Sequence, residues 1–212
     1  MSIINQLLDG YHQFYQSYFV GSDAHYKRLV KQGQSPKVLM ISCCDSRVAP
    51  ETITQAEPGD IFTVRNIANI VPPFTEDHGV HGVSAAIEFA VCELNVGHII
   101  ILGHSHCGGI DALLNGIPKD SGFIGPWMKI VAEAKRHVYT DHSNCDHETR
   151  GRLGEQYALQ ISLDNLKGFP FVTERVNQGK LTLHAWHFSL ETGDLCALDE
   201  QDQTFKSLRQ KG

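Results

Sequence analysis

Apolar residues open the chain at helical spacing: Ile3, Ile4, Leu7, Leu8, Tyr11, Phe14, Tyr15 and Tyr18. The stripe predicts two helices over residues 1–33, the second capped by Ser22 or Asp23. So wide a stripe either covers the chain's own sheet or packs on a partner subunit. The period then changes. Residues 37–42 read as a buried strand, 50–55 as a short helix and 61–64 as a second strand. Val83, Ile87, Ala90, Val91 and Leu94 mark an amphipathic helix that leads to a third strand at 98–102. Gly108-Gly109 opens another helix, and 126–138 and 155–166 read as two more. Residues 181–188 alternate like a strand, and the turn Glu191-Thr192-Gly193-Asp194 offers a hairpin partner at 195–198. Strands alternating with helices predict an α/β fold: a mostly parallel central β-sheet flanked by helices, with an N-terminal helical arm. No repeat or low-complexity segment interrupts the pattern. A length of 212 residues suits one domain, 1–212, with 1–33 as its arm.

Two short polar runs follow the strands. Cys43-Cys44-Asp45-Ser46-Arg47 comes after the first, and His104-Ser105-His106-Cys107-Gly108-Gly109 after the third. Groups at the carboxyl ends of parallel strands face one crevice. Two thiolates and an imidazole there make a Cys₂His zinc site with one position left for water, the pattern of a catalytic metal. His104 and Cys107 are three apart, so one turn can bring both to one ion; His106, beside Cys107, points elsewhere. Asp45 and Arg47 can form a charge-assisted pair that keeps Asp45 ionised. Asp45 can then either orient a zinc-bound hydroxide or take the fourth zinc position itself.

Charge and composition narrow the partners. A net charge of −6 and no basic stripe argue against nucleic acid and anionic membranes. The start of the chain does not read as a signal peptide, and no run reaches the roughly 18 apolar residues of a membrane span, so a cytoplasmic location is expected. Six cysteines are too few for a disulfide scaffold. Cys92 and Cys196, in helical and strand-like patterns, read as plain buried thiols. His142, Cys145 and His147 read as a solvated loop, and His78 and His81 as loop residues with proton shuttling as the lesser option. His184 and His187 face opposite sides of a strand and cannot pair.

These motifs, with Gly59-Asp60-Ile61-Phe62, Arg65-Asn66-Ile67-Ala68-Asn69 and Ala85-Ala86-Ile87-Glu88-Phe89, resemble the β-class carbonic anhydrases over most of the chain. The resemblance implies zinc ligands Cys43, His104 and Cys107, and a catalytic dyad of Asp45 and Arg47. It implies substrate-side residues Gln34, Phe62, Ile67, Phe89 and Gly108, with Gln34 reaching across a subunit interface. It also implies hydration of carbon dioxide to bicarbonate by attack of zinc-bound hydroxide, in a homodimer or homotetramer. Family members that close the zinc site with aspartate hold a regulatory bicarbonate with a tryptophan, a tyrosine and an arginine. Here those positions are Met40, Phe188 and Arg65, so an open, plant-type site is expected. The alternatives are hydrolysis of carbon disulfide or carbonyl sulfide on the same fold, or a non-catalytic zinc- and bicarbonate-binding protein.

Overall fold

A computed structural model describes residues 2–20, 25–77, 79–118 and 120–209. The expected caps Ser22 and Asp23, and His78, lie outside them. The chain forms two compact units, Met1–Ser35 and Pro36–Gly212.

The first unit holds α1 (Ile3–Phe19) and α2 (His25–Gln32). Ser2 Oγ accepts the Asn5 amide at 3.3 Å and so caps α1. Phe14 and Phe19 meet the Tyr26 ring at centroid distances of 5.5 and 4.7 Å, which ties the helices into a hairpin. No described residue of either helix is buried, and Ile3, Ile4, Leu7 and Leu8 are exposed by half or more.

In the second unit the order is β1 (Val38–Cys43), α3 (Pro50–Thr54), β2 (Ile61–Asn66), α4 (Gly82–Glu88), β3 (His98–His104) and α5 (Gly108–Asn115). Then come α6 (Ile124–Lys129), α7 (Ala132–Asp141), α8 (His147–Lys167), α9 (Pro170–Asn177), β4 (Thr182–Phe188), β5 (Leu195–Asp199) and β6 (Thr204–Ser207). The sheet order is β2-β1-β3-β4-β5-β6. The first four strands are parallel and the last two antiparallel. From β1 the chain passes to β2 on one side and then to β3 on the other. A crevice therefore opens at the carboxyl ends of β1 and β3, where such sheets bind ligands.

Alternate strand residues build the core. Leu39, Ile41, Ile99 and Ile101 lie, fully buried, against Ile87 of α4 and Leu159 and Leu166 of α8. On the opposite face Met40, Ile100 and Leu102 cluster with Val48. Gly103 lets α8 approach β3: a Cβ there would lie 2.9 Å from Leu159 Cδ1. No helix among the described residues is long and apolar enough to cross a membrane.

Several elements differ from expectation. The 126–138 helix is two, α6 and α7, joined at Ile130-Val131. The long helix begins at His147 because Asp146 caps it, its carboxylate accepting the Thr149 amide at 2.8 Å. Its first two turns are polar and carry no apolar period. After α4 a π-helical turn, Phe89–Glu93, buries Ala90 and Val91 and turns Cys92 outward. Cys92 is thus exposed, not buried; helical phase overrides the thiol's tendency. Cys196 on β5 is only half-buried.

Candidate metal centre

Cys43 ends β1 and His104 ends the adjacent β3. The chain then reverses through His106, which takes a left-handed φ of 56°, and Cys107 returns as the residue before α5. As a result Cys43 Sγ, a His104 ring nitrogen and Cys107 Sγ lie within 4.8 Å of one another, all from buried residues. His104 Nδ1 donates to the Ser105 carbonyl at 2.8 Å. That assigns the ring tautomer and leaves a lone pair on Nε2, which is buried without a hydrogen-bond partner. An orphaned imidazole nitrogen facing two thiols fits a metal of zinc's softness.

Electrostatics agree with that fit. The Cys43 thiol is pulled down first by its bond with Cys107, against burial, and then by His104 and the Asp45 and Ala68 amides. Cys107 is pushed up by Cys43 and by burial. Each sulfur thus acts on the other, and both would bind a metal ion as thiolates. Burial opposes charge on His104, but the Cys43 sulfur and the Ser105 carbonyl outweigh it and raise its pKa.

A strained turn supports Cys43. Ala68 and Asn69 both hold left-handed φ angles, 60° and 49°. The Asn66 side chain clamps this turn, its amide and carbonyl each 2.9 Å from the Ile70 backbone. Trp127 Nε1 donates to the Ile67 carbonyl at 2.9 Å. The outcome is an Ala68 amide aimed at the thiolate.

Asp45 and Arg47 make the expected fork. Nε donates to Oδ1 at 2.9 Å and Nη2 to Oδ2 at 2.6 Å, while the Arg47 amide also reaches Oδ1 at 2.9 Å. Arg47 Nη2 is shared with the His106 carbonyl at 3.1 Å. The guanidinium holds the Asp45 carboxyl well below the usual carboxylate range, against desolvation. Asp45 Oδ2 stands 4.0 Å from His104 Nε2, at the rim of the cluster. Arg65, in contrast, is occupied by the loop: Nε donates to the Cys43 carbonyl at 2.9 Å, and Nη2 to those of Asp45 and Val48 at 2.8 and 2.9 Å.

Of the expected substrate-side residues, two lie beside the ligands in this chain. Gly108 follows Cys107, and Ile67, 41% exposed, packs on Gly109, where a Cβ would be 3.0 Å from its Cγ2. Phe62 and Phe89 pair with each other at 5.9 Å. Phe62 lies four residues before Asn66, the β2 partner of Cys43, so it sits about 13 Å back along the strand. Gln34 is exposed and belongs to the N-terminal unit. Elsewhere, His184 meets His98 at 3.2 Å, His142 meets the Tyr157 hydroxyl at 3.0 Å, and His81 meets Asp77 at 2.9 Å.

Sequence reasoning missed Glu155, His187 and Glu191. Glu191 accepts from Ser105 Oγ at 3.0 Å and pairs with His106, docking the 189–191 turn on the ligand loop. Glu155 accepts the Cys107 amide at 3.1 Å. A signal existed for Glu155: it lies four residues before Leu159 and seven before Ser162, on the helix's buried face.

The sequence pattern of the family described as carbonic anhydrase matches residues 38–195. A carbonic anhydrase of Pseudomonas aeruginosa is 36% identical over 210 residues, covering 97% of this chain and 92% of the relative. The solved structure of the β-carbonic anhydrase CcaA superposes with a TM-score of 0.89 at 33% identity, covering 97% of this chain and all of the other. A tetrameric β-carbonic anhydrase from Sordaria macrospora gives 0.74 at 30% identity, with 92% of each chain covered.

Proposed function

The chain belongs to the β-class carbonic anhydrases, and on that premise we propose that it hydrates carbon dioxide reversibly at a zinc ion held by Cys43, His104 and Cys107. The observation that carries this reading is the convergence of two thiols on an imidazole nitrogen that has no other partner. Such a Cys₂His set leaves one coordination position open. When bound, zinc supplies the Lewis acidity that makes water a nucleophile near neutral pH, behaviour for which carbonic anhydrase is itself the standard illustration.

The protein's own groups do the rest. Asp45 accepts a hydrogen bond from the attacking water and fixes its direction. Arg47 keeps Asp45 ionised and turned, its fork engaging both carboxylate oxygens. That engagement favours an open site over one closed by Asp45. Ile67 and Gly108 line the near side of the substrate pocket. Phe62 and Phe89 complete the pocket of a second copy, and Gln34, by the family resemblance, donates to a substrate oxygen. A homodimer or homotetramer in the cytoplasm fits this arrangement, and the exposed apolar face of α1 is its natural contact. With Met40 and Phe188 at two of the regulatory positions and Arg65 committed to three carbonyls, regulation by bicarbonate is weak.

Stopped-flow carbon dioxide hydration by zinc-loaded protein, from about pH 6.5 to 9, tests this. Turnover at the low end supports the open site. Turnover only at the alkaline end refutes it. No hydration by protein that holds zinc refutes the activity.

A further inference from the structure

Behind the metal ligands lies a buried carboxylate that the mechanism does not use. Glu155 of α8 is 6% exposed. Its Oε1 accepts the Cys107 amide at 3.1 Å, and its Oε2 lies 2.9 Å from Nε2 of His187, itself 5% exposed. Two ionisable groups taken out of water together are costly unless their geometry is well satisfied. Here they complete the turn that carries a ligand. The Gly109 and Ile110 amides point to Cys107 Sγ, and the Asp111 amide donates to the Cys107 carbonyl at 2.9 Å. The amide of Cys107 itself looks backward, and Glu155 is its acceptor. The preceding Gly154 permits the approach, since a Cβ there would fall 2.9 Å from Leu114 and 3.1 Å from Ile110 on α5.

Glu155 and Cys107 both border two spaces: the small void beside His104 and Gly103, and the outer recess of about 650 Å³ walled by His106, Arg152 and Glu191. We propose that Glu155, held by His187, is a positioning residue for the metal. By accepting the Cys107 amide it fixes the backbone that brings Sγ to Cys43 and His104. This inference rests on the zinc reading above.

The test is zinc release from the loaded full chain to an excess of coloured chelator, for parent, Glu155→Ala and Glu155→Gln. Two measurements accompany it: the thiolate-to-cobalt absorption of the Co(II) forms, and urea unfolding of the metal-free proteins. Glu155→Ala should release zinc about 10- to 100-fold faster, the range for groups that orient metal ligands, and should shift the cobalt band. Glu155→Gln keeps an oxygen for the Cys107 amide and should restore both. If Glu155→Ala does not fold, Glu155→Met, similar in size but without an acceptor, carries the same test. A parent that holds no zinc overturns the metal reading itself. A parent that holds zinc, with Glu155→Ala releasing it no faster, overturns the positioning role alone. So does release that only tracks global unfolding, or a Glu155→Gln as impaired as Glu155→Ala.

Discussion

Gly103 precedes the ligand His104 on β3 and lacks a side chain because Leu159 of α8 fills its place. A Cβ at 103 would stand 2.9, 3.1 and 3.2 Å from Leu159 Cδ1, Cγ and Cδ2. Carbon atoms prefer about 3.5–4.0 Å, so all three contacts are repulsive. Leu159 is fully buried. Gly103→Ala must therefore displace Leu159, by its rotamer or by moving α8 off the sheet, at about 1–3 kcal/mol. Leu159→Ala alone should cost about 2–5 kcal/mol, for lost burial and the void left behind. Combined, the two should not add. The new methyl projects into the space vacated by Leu159, so the double variant should be no less stable than Leu159→Ala, a coupling of about 1–3 kcal/mol. Urea unfolding of the four metal-free proteins at one fixed concentration measures this, since any self-association would also enter the stability. Costs that add to within about 0.5 kcal/mol would refute the packing argument. Because Glu155 sits one turn before Leu159, Gly103→Ala should also speed zinc release, and Leu159→Ala in the same chain should slow it again.

Three further outcomes follow from the site and the arm. Cys107→Ser should leave less than one zinc per chain after dialysis and abolish hydration; full zinc by elemental analysis would remove Cys107 from the ligand set. Arg47→Ala should lower hydration about 10- to 100-fold, as loss of an orienting partner does. Because Arg47 depresses the Asp45 pKa in the fold, its stabilisation is complete above the ordinary aspartate value and is lost as pH falls through the lower, folded value. The urea-midpoint gap between metal-free parent and Arg47→Ala should thus hold near neutral pH and shrink below about pH 4; a gap that widens on acidification contradicts the fork. Removal of residues 2–20 should lower the oligomeric state by light scattering, and an unchanged mass would mean that the apolar face of α1 is not a subunit contact.

The convergence of Cys43, His104 and Cys107 was legible because their two motifs follow continuous apolar runs, and such runs mark strand ends in parallel sheets. Asp45 and Arg47 were legible because two residues of turn suffice to bring them together. The supports were not. Glu155 reaches Cys107 across 48 residues and His187 across 32, contacts that only the packing of α8 creates. The start of α8 was hidden because its capping carboxylate precedes two polar turns. The short β6 and α9 were absent from the pattern for a related reason: four residues with one half-buried side chain, Phe205, make no alternation, and α9 buries only Val172. Phe62 and Phe89 show the limit of reading a pocket from one chain, since strand register sets Phe62 well away from Cys43 of the same chain.

Ala68, Asn69 and His106 are among the six described non-glycine residues with positive φ, and all three lie near the Cys43, His104 and Cys107 cluster. Each left-handed L-residue costs roughly 1–2 kcal/mol relative to the right-handed basin. A selection for heat resistance alone would therefore favour glycine at these positions. Glycine would relieve the strain and, by the same freedom, loosen the amide directed at Cys43 and the turn that returns Cys107 to the cluster. Thermostable descendants found without a screen for turnover should accumulate such glycines and lose metal affinity, so efforts to harden this enzyme should leave the three positions fixed and look for gains elsewhere.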